Sequence, residues 1–445
     1  MSIVQKVREA GIVGAGGAGF PTHVKFESKV HTAIANGAEC EPLLQCDKAV
    51  MQHRTEEVLQ GLTLLAKATS AARVVIALKG HYRALVNRVR EVVTSSFPHI
   101  EVYELGNFYP AGDEQVLVQE VTKLVVPEGG IPLQVGVVVN NVITLSQVAQ
   151  AVNNSQPVIR RALTIAGEVR KPLTCELPIG TPLKLAIELA GGATVSSWAV
   201  IEGGPMMGRL VTDVEEPITK RTSGILVLPT DHPLVLRKKT SMEREVRLGH
   251  VVCCQCRMCT DLCPRFNLGH DIYPHLAMRS LGTEEGFKAP SDHVTSAFLC
   301  CMCGVCEVYA CPLGLSPRRV YEHMQAQLTQ AGQKNPHKRE VCVVHDFQKL
   351  RQVPLPRLVA RLGLTNYVNA PYSIDWKMPE VTMVRILLLQ HVGAPALPIV
   401  KKGQAVVRGD LIGDIPKGKL GACVHASING TVVKVDKNEI QIQRD

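Results

Sequence analysis

The stretch Cys253-Cys254-Gln255-Cys256-Arg257-Met258-Cys259-Thr260-Asp261-Leu262-Cys263-Pro264 repeats cysteine at short, regular intervals and ends on a Cys-Pro pair. A second copy runs Cys300-Cys301-Met302-Cys303-Gly304-Val305-Cys306, and its Cys311-Pro312 falls one residue later than in the first. The form C-x2-C-x2-C-x3-C-P is the spacing of a bacterial-type [4Fe–4S] motif, whose fourth cysteine serves the other cluster. Zinc is the rival reading, since paired C-x2-C elements suit it. Structural zinc takes four ligands per site, however, and a repeated triple with a trailing Cys-Pro points to iron–sulfur.

On the cross-ligation usual for that motif, Cys253, Cys256, Cys259 and Cys311 hold one cluster. Cys300, Cys303, Cys306 and Cys263 hold the other. Cys254 and Cys301 stand one residue off the repeat and are read as non-ligands. Two clusters on one small helical unit lie within electron-tunnelling reach, so one-electron chemistry is expected. A two-electron donor would then need a converter elsewhere in the chain.

Outward from these windows, only Cys40, Cys46, Cys175, Cys342 and Cys423 of the 15 cysteines are scattered, which is no disulfide framework. The 445 residues suggest about three domains at roughly 150 residues each. Hydrophobic residues at 46% and charged residues at 20% exclude a mainly disordered chain. The formal net charge is +9, but aromatics are 4%, and the basic clusters Arg237-Lys238-Lys239 and Lys334 to Arg339 lie in linker-like sequence. Nucleic acid is therefore not expected as a partner. The apolar stretch Val135 to Leu145 is broken by Asn140 and Asn141 and falls short of the ~20 residues of a spanning helix. Met1 to Gly11 has no apolar core of a secretory signal. A soluble, intracellular chain without direct membrane insertion is expected.

The N-terminal half alternates between two periods. Val74 to Leu78, Glu101 to Leu105 and Val135 to Val139 read as strands, while Tyr82 to Val93, Gly112 to Thr122 and Thr144 to Val152 have helical spacing. Strands alternating with helices imply an α/β layer with a mainly parallel sheet. From Arg161 the texture shifts to short β-like runs, and Val381 to Ile442 has the Gly-broken Val/Ile runs of a small all-β unit.

Gly14-Ala15-Gly16-Gly17-Ala18-Gly19 contains G-x-G-x-x-G, with Glu39 about twenty residues on. The dinucleotide fingerprint must follow a strand, yet Ile3, Val4, Val7 and Ala10 have helical spacing. A glycine loop still brings backbone N–H groups close to an anion, so a phosphate-bearing ligand is favoured over a bare turn.

Arg8-Glu9-Ala10-Gly11-Ile12-Val13-Gly14 through Phe20-Pro21-Thr22, with Asn36-Gly37-Ala38-Glu39-Cys40-Glu41-Pro42, resembles the flavin domain of the Rnf-complex C subunit. It is similar, more distantly, to the flavin subunit of respiratory NADH:quinone oxidoreductase. Tyr109-Pro110-Ala111-Gly112-Asp113-Glu114 and Val139-Asn140-Asn141-Val142-Ile143-Thr144 match two further family segments. The resemblance implies FMN, with NADH stacked on it as electron donor. By position, Gly14, Gly16, Gly17 and Gly19 would shape the phosphate loop and Lys25 would neutralise the phosphate. Asn36, Glu39 and Glu41 would bond ribityl or ring atoms. Tyr109, Gly112, Asp113 and Glu114 would line the flavin and nicotinamide side, with Asp113 and Glu114 as the catalytic residues and Glu114 on the nicotinamide ribose. Asn140, Asn141 and Thr144 would hold the phosphate end. Ala38 and Asp113 depart from the respiratory pattern, which has Asp and Glu there.

Gly203-Gly204-Pro205-Met206-Met207-Gly208 resembles the soluble-ligand-binding β-grasp (SLBB) domain of both relatives, the two methionines being read as packing. Gln390 to Ala396 and Val424 to Val432 resemble a lipoyl-like barrel-sandwich hybrid without a lipoyl lysine. The expected fold is thus multidomain, α/β plus β-grasp. Its units are an α/β FMN/NADH domain at 1–157, β-grasp at 158–235, a helical double [4Fe–4S] ferredoxin-like domain at 236–330, a connector at 331–380 and an all-β barrel-sandwich hybrid at 381–445.

This order resembles the cobalamin reductases of bacterial propanediol-utilisation microcompartments. The resemblance implies electron flow from NADH through FMN and two [4Fe–4S] clusters to the cobalt of cobalamin, with a cobalamin adenosyltransferase as partner. No Asp has His two positions on, so the D-x-H-x-x-G lower-ligand signature is absent, and cobalamin is expected as a visiting acceptor. His250, His270 and His275 are read as capping or surface residues. The resemblance also implies a cytoplasmic location within a microcompartment. Because the flavin-like segment begins almost at Met1, recruitment through a shell protein or cargo enzyme is expected. The alternatives are an Rnf-like electron-entry subunit of a membrane complex and a non-catalytic conduit or scaffold.

Overall fold

An apolar run such as Val74-Val75-Ile76-Ala77-Leu78 needs cover on both faces of its sheet. The computed structural model, which describes residues 1–280 and 291–445, supplies both. Strands β1 (Thr32–Gly37), β2 (Arg73–Lys79), β3 (Ile100–Leu105) and β5 (Val137–Asn141) form a parallel sheet in the order β3-β2-β1-β5; β4 (Phe108–Tyr109) lies outside it. Side chains alternate across a strand, so Val74, Ile76 and Leu78 meet the helices Thr55–Thr69, Arg83–Ser96 and Val142–Asn154. Val75 and Ala77 face the helix Glu114–Thr122. A helix, Ile3–Glu9, and not a strand precedes the glycine loop.

The β-grasp unit contributes β6 (Arg160–Gly167), β7 (Leu173–Pro178), β8 (Trp198–Glu202), β9 (Arg209–Leu210) and β10 (Gly224–Pro229), with the helix Leu183–Leu189 packed on the sheet. The cysteine region is built from short helices, among them Met258–Asp261 and Pro264–Asn267, braced by the longer Pro317–Gln330.

Residues 331–380, expected as a connector, form a strap. β11 (Val353–Pro354) pairs antiparallel with β4, and β12 (Ser373–Asp375) adds a parallel edge strand beside β7. The backbone N–H of His345 also donates to the Asn267 carbonyl. The C-terminal barrel packs two sheets face to face. One, in the order β13-β19-β18-β15, takes β13 (Met383–Leu387), β15 (Ala405–Val406), β18 (Gly430–Val435) and β19 (Glu439–Gln443). The smaller takes β14 (Leu397–Pro398), β16 (Leu411–Asp414) and β17 (Val424–His425). That barrel sits on the glycine loop: the Val392 N–H donates to the Gly19 carbonyl, and buried Lys220 Nζ bridges the Gly11 and Cys423 carbonyls at 2.6 Å each. A Cβ at Gly11 would stand 2.2 Å from the Cys423 oxygen, so only glycine permits this approach. Among the described residues, no helix is long and apolar enough to cross a membrane.

Candidate flavin and iron–sulfur site

Ligands of open parallel sheets bind beyond the carboxyl ends of the strands. Here β1, β2 and β5 end at Gly37, Lys79 and Asn141, and the glycine loop folds over that edge. Thr144 Oγ1 accepts from the Ala15 N–H at 2.9 Å, fastening the loop to the helix Val142–Asn154. Asn141 caps that helix by accepting from Ile143 N–H, while its Nδ2 donates to Asp47 at 2.7 Å. Gly17, at φ +113°, has open space where a side chain would be, and Gly16 faces Asn141. A loop this bare leaves its N–H groups accessible to an anion.

Several expected site residues are already engaged. Lys25 Nζ pairs with Glu114 at 2.7 Å and donates to the Val139 carbonyl, so its charge is compensated within the fold. Asn36 Nδ2 donates to the Gly112 carbonyl, and its Oδ1 accepts from Ala38 N–H. Glu39 is held by the Asp47 N–H and the Cys46 thiol, and burial with the neighbouring Asp47 pushes its pKa up to about 8. Glu41 reaches into the β-grasp unit, accepting from the Met206 and Met207 N–H groups at 2.9 and 2.8 Å. Gly204 lies against that carboxylate, where a Cβ would fall 2.2 Å from it.

The 109–114 loop turns away from the sheet towards the cysteines. Asp113 caps the helix Glu114–Thr122 and forms a two-pronged ion pair with Arg265, at 2.5 and 2.9 Å. Tyr109 is fully buried, and its hydroxyl donates to the Cys303 carbonyl at 2.7 Å. These two residues, expected along the flavin, also fasten the flavin unit to both cysteine windows.

The residues present fit an FMN. Lys79 Nζ, Arg161 Nη1 and Asn140 Nδ2 are buried donors with no hydrogen-bond partner. Orphaned donors of this kind are rare in a finished core and match an acceptor-rich phosphate and pyrimidine ring. Arg161, wholly buried, also donates to the Ala15 and Thr222 carbonyls. Sequence reasoning missed Lys79, Arg161, Asp47 and Arg265; the orphaned and paired charges that reveal them exist only in three dimensions.

The cysteines gather as two sets. One cavity is lined by Cys253, Cys256, Cys259 and Cys311, with Cys254 beside them. The other is lined by Cys263, Cys300, Cys303 and Cys306, with Cys301. Gln255, Arg257 and Met302 sit at φ +55°, +67° and +55°, left-handed values that non-glycine residues seldom adopt. Such bends curl a short loop around a central object, and all-sulfur donor sets suit iron–sulfur clusters. Cys256 is exposed, whereas Cys263, Cys303 and Cys306 are buried. His270, expected at the surface or as a cap, is buried and bonded to the Val126 carbonyl, because the cluster unit packs on the flavin unit there. His275 Nδ1 bonds Thr260.

A small polar cleft lies elsewhere, between Arg54, Gln150, Arg160 and Glu176, whose polar groups already satisfy one another.

Family models place this geometry. A Nuo51 FMN-binding domain matches residues 7–150, an SLBB domain 163–210, a 4Fe-4S dicluster domain 252–316 and an RnfC barrel sandwich hybrid domain 373–445. Cobalamin reductase PduS of Citrobacter freundii is 40% identical over 100% of this chain and 96% of its own. The chain belongs to the PduS family. The Salmonella typhimurium member is likewise 40% identical, over 99% of this chain and 96% of its own. Outside the family, the C subunit of the Na(+)-translocating ferredoxin:NAD(+) oxidoreductase complex of Acetobacterium woodii is 36% identical, over 59% of this chain and 58% of its own. The PduS-family chain is therefore a flavin and iron–sulfur oxidoreductase, with FMN-binding, SLBB, 4Fe-4S dicluster and barrel-sandwich hybrid domains.

Proposed function

We propose that the chain takes electron pairs from NADH and delivers them singly to the cobalt of cobalamin, through FMN and two [4Fe–4S] clusters. FMN supplies the conversion between hydride and single electrons, and the clusters supply one-electron carriage. The protein's own groups do the rest. The bare turn at Gly16 and Gly17 offers N–H groups to the phosphate, while Thr144 and Asn141 hold the loop and the helix start in place. Lys25 holds Glu114 in place at the nicotinamide side. Tyr109 and the Asp113–Arg265 pair keep the flavin unit against the buried cysteine set.

The observation that carries this reading is the Tyr109–Cys303 hydrogen bond. It supports an order in which the set Cys263, Cys300, Cys303 and Cys306 receives electrons first. The set Cys253, Cys256, Cys259 and Cys311, with exposed Cys256, then faces the acceptor. Electron transfer benefits from short, rigid separations, and a buried hydroxyl-to-carbonyl bond fixes one. Cobalamin as acceptor rests on the names of the PduS relatives. A cobalamin adenosyltransferase as the next enzyme, and recruitment to a microcompartment through a shell protein, follow from the same reading.

The test is an anaerobic optical and EPR titration with iron and flavin counts, before and after NADH. About eight irons and one FMN, reduced together, are expected for two [4Fe–4S] clusters. Zinc in place of iron, or a flavin that NADH fails to bleach, would overturn the proposal.

A further inference from the structure

Lys79 ends β2 at the carboxyl edge of the parallel sheet. It has no exposure, and its Nζ has no hydrogen-bond partner. A buried, unpaired ammonium is among the costliest groups a fold can hold, and burial lowers its pKa. Nearby Glu39 attracts it but does not bond it, its oxygens accepting instead from the Cys46 thiol and the Asp47 N–H. Burial and the neighbouring Asp47 raise the Glu39 pKa, which weakens the charge it can offer. Cys40, the other neighbour, is a thiol whose pKa burial pushes up to about 12. No group in the fold hydrogen-bonds Lys79 Nζ, which leaves that place open to a ligand.

Its place in the sheet says which part of the ligand. The phosphate end, at Asn140, Asn141 and Thr144, belongs to β5 and the helix after it. In the order β3-β2-β1-β5, Lys79 stands two strand spacings away, about 9 to 10 Å. It shares that end of the crevice with Glu39 and Cys40. A flavin anchored by its phosphate at β5 and lying across the strand ends would bring its ring system to Lys79.

Resting on the flavin reading above, we infer that Lys79 Nζ donates a hydrogen bond to the pyrimidine edge of the FMN ring and offsets the negative charge the ring gains on reduction. Hydride carries two electrons and one proton, so the oxidised ring that accepts it ends one unit more negative. That charge spreads over the pyrimidine N1 and its adjoining carbonyl. Charge near that edge is one of the means by which a protein sets a flavin's potential. Lys79 is thus unsatisfied in the apoprotein, partly satisfied by oxidised FMN and fully paired only with the reduced ring.

The experiment replaces Lys79 by Met, close in length and uncharged, and by Gln, which keeps a donor without the charge. Both full-length proteins are purified anaerobically and assayed for FMN content. Thermal midpoints are measured after FMN removal, and two-electron midpoint potentials by spectroelectrochemistry. For Lys79→Met the apoprotein should melt higher than wild type and FMN should still bind. The ratio of reduced to oxidised flavin at fixed potential should fall about tenfold, a shift of about −30 mV for a two-electron couple. Lys79→Gln should shift the potential in the same direction by less. An unchanged potential in both variants, or a lower-melting Lys79→Met apoprotein, overturns the assignment and makes Lys79 a structural residue. Wild-type protein that retains no FMN would instead overturn the flavin reading, a result distinct from either.

Discussion

The two cysteine cavities are built on nearly the same spacing, yet their surroundings differ. The set with Cys253, Cys256, Cys259 and Cys311 opens near the surface, flanked by exposed Cys254, Val251 and Met258. The set with Cys263, Cys300, Cys303 and Cys306 is enclosed by the Tyr109 hydroxyl, the Arg265–Asp113 pair and the buried Arg318–Glu307 pair. The difference teaches that the local motif sets which sulfurs converge, while distant segments decide whether the site meets solvent or the flavin unit. On the proposed function, the enclosed site would receive electrons and the site near the surface would release them.

The strongest way to break this comparison is to delete one site at a time. Cys303→Ala should leave flavin reducible by NADH but stop electrons from reaching the outer site, with about four of eight irons lost. Cys256→Ala should lose as much iron yet leave the inner site reducible. Freeze-quench EPR after NADH checks both, and equal reduction of the outer site in Cys303→Ala would abolish the proposed order.

The next effect is on the joint between units. Arg265→Met strands the Asp113 carboxylate in a largely buried position, and removing one partner of such a pair costs about 3 kcal/mol. Chemical denaturation should show that loss in the holoprotein, with slower flavin-to-cluster transfer. Arg318→Met, which breaks the other pair around the same site, should cost stability without slowing that transfer. Smaller still is Tyr109→Phe, which leaves the Cys303 carbonyl without its donor at a cost of about 1 kcal/mol. Its measurable sign should be a changed EPR line shape of the inner site alone.

Much of this was legible in the chain. The cysteine repeats are local, so spacing alone announced an iron–sulfur unit, and the alternating periods of residues 73–150 announced a parallel α/β layer. The glycine loop was legible as a bare turn, and the helix before it as the reason to doubt a dinucleotide fold. The strap at 331–380 was not legible, because strands as short as Val353–Pro354 and Ser373–Asp375 carry no periodicity and exist only through the partners β4 and β7. Lys25 and Asp113 were expected to face the cofactors; their pairing with Glu114 and Arg265 needed coordinates.

By itself, then, the sequence determined the elements whose signals lie within a few residues of each other: the cysteine triples, the glycine turn and the buried strand β2. Tertiary structure alone decided which charges meet. Arg265 and Asp113 are 152 residues apart, and Tyr109 and Cys303 are 194 apart. Lys79, at the end of an apolar strand, looks like any solvated lysine until the sheet closes over it. Charge and hydrogen-bond pairing depend on distances of about 3 Å and on burial, and neither can be read from spacing along a chain.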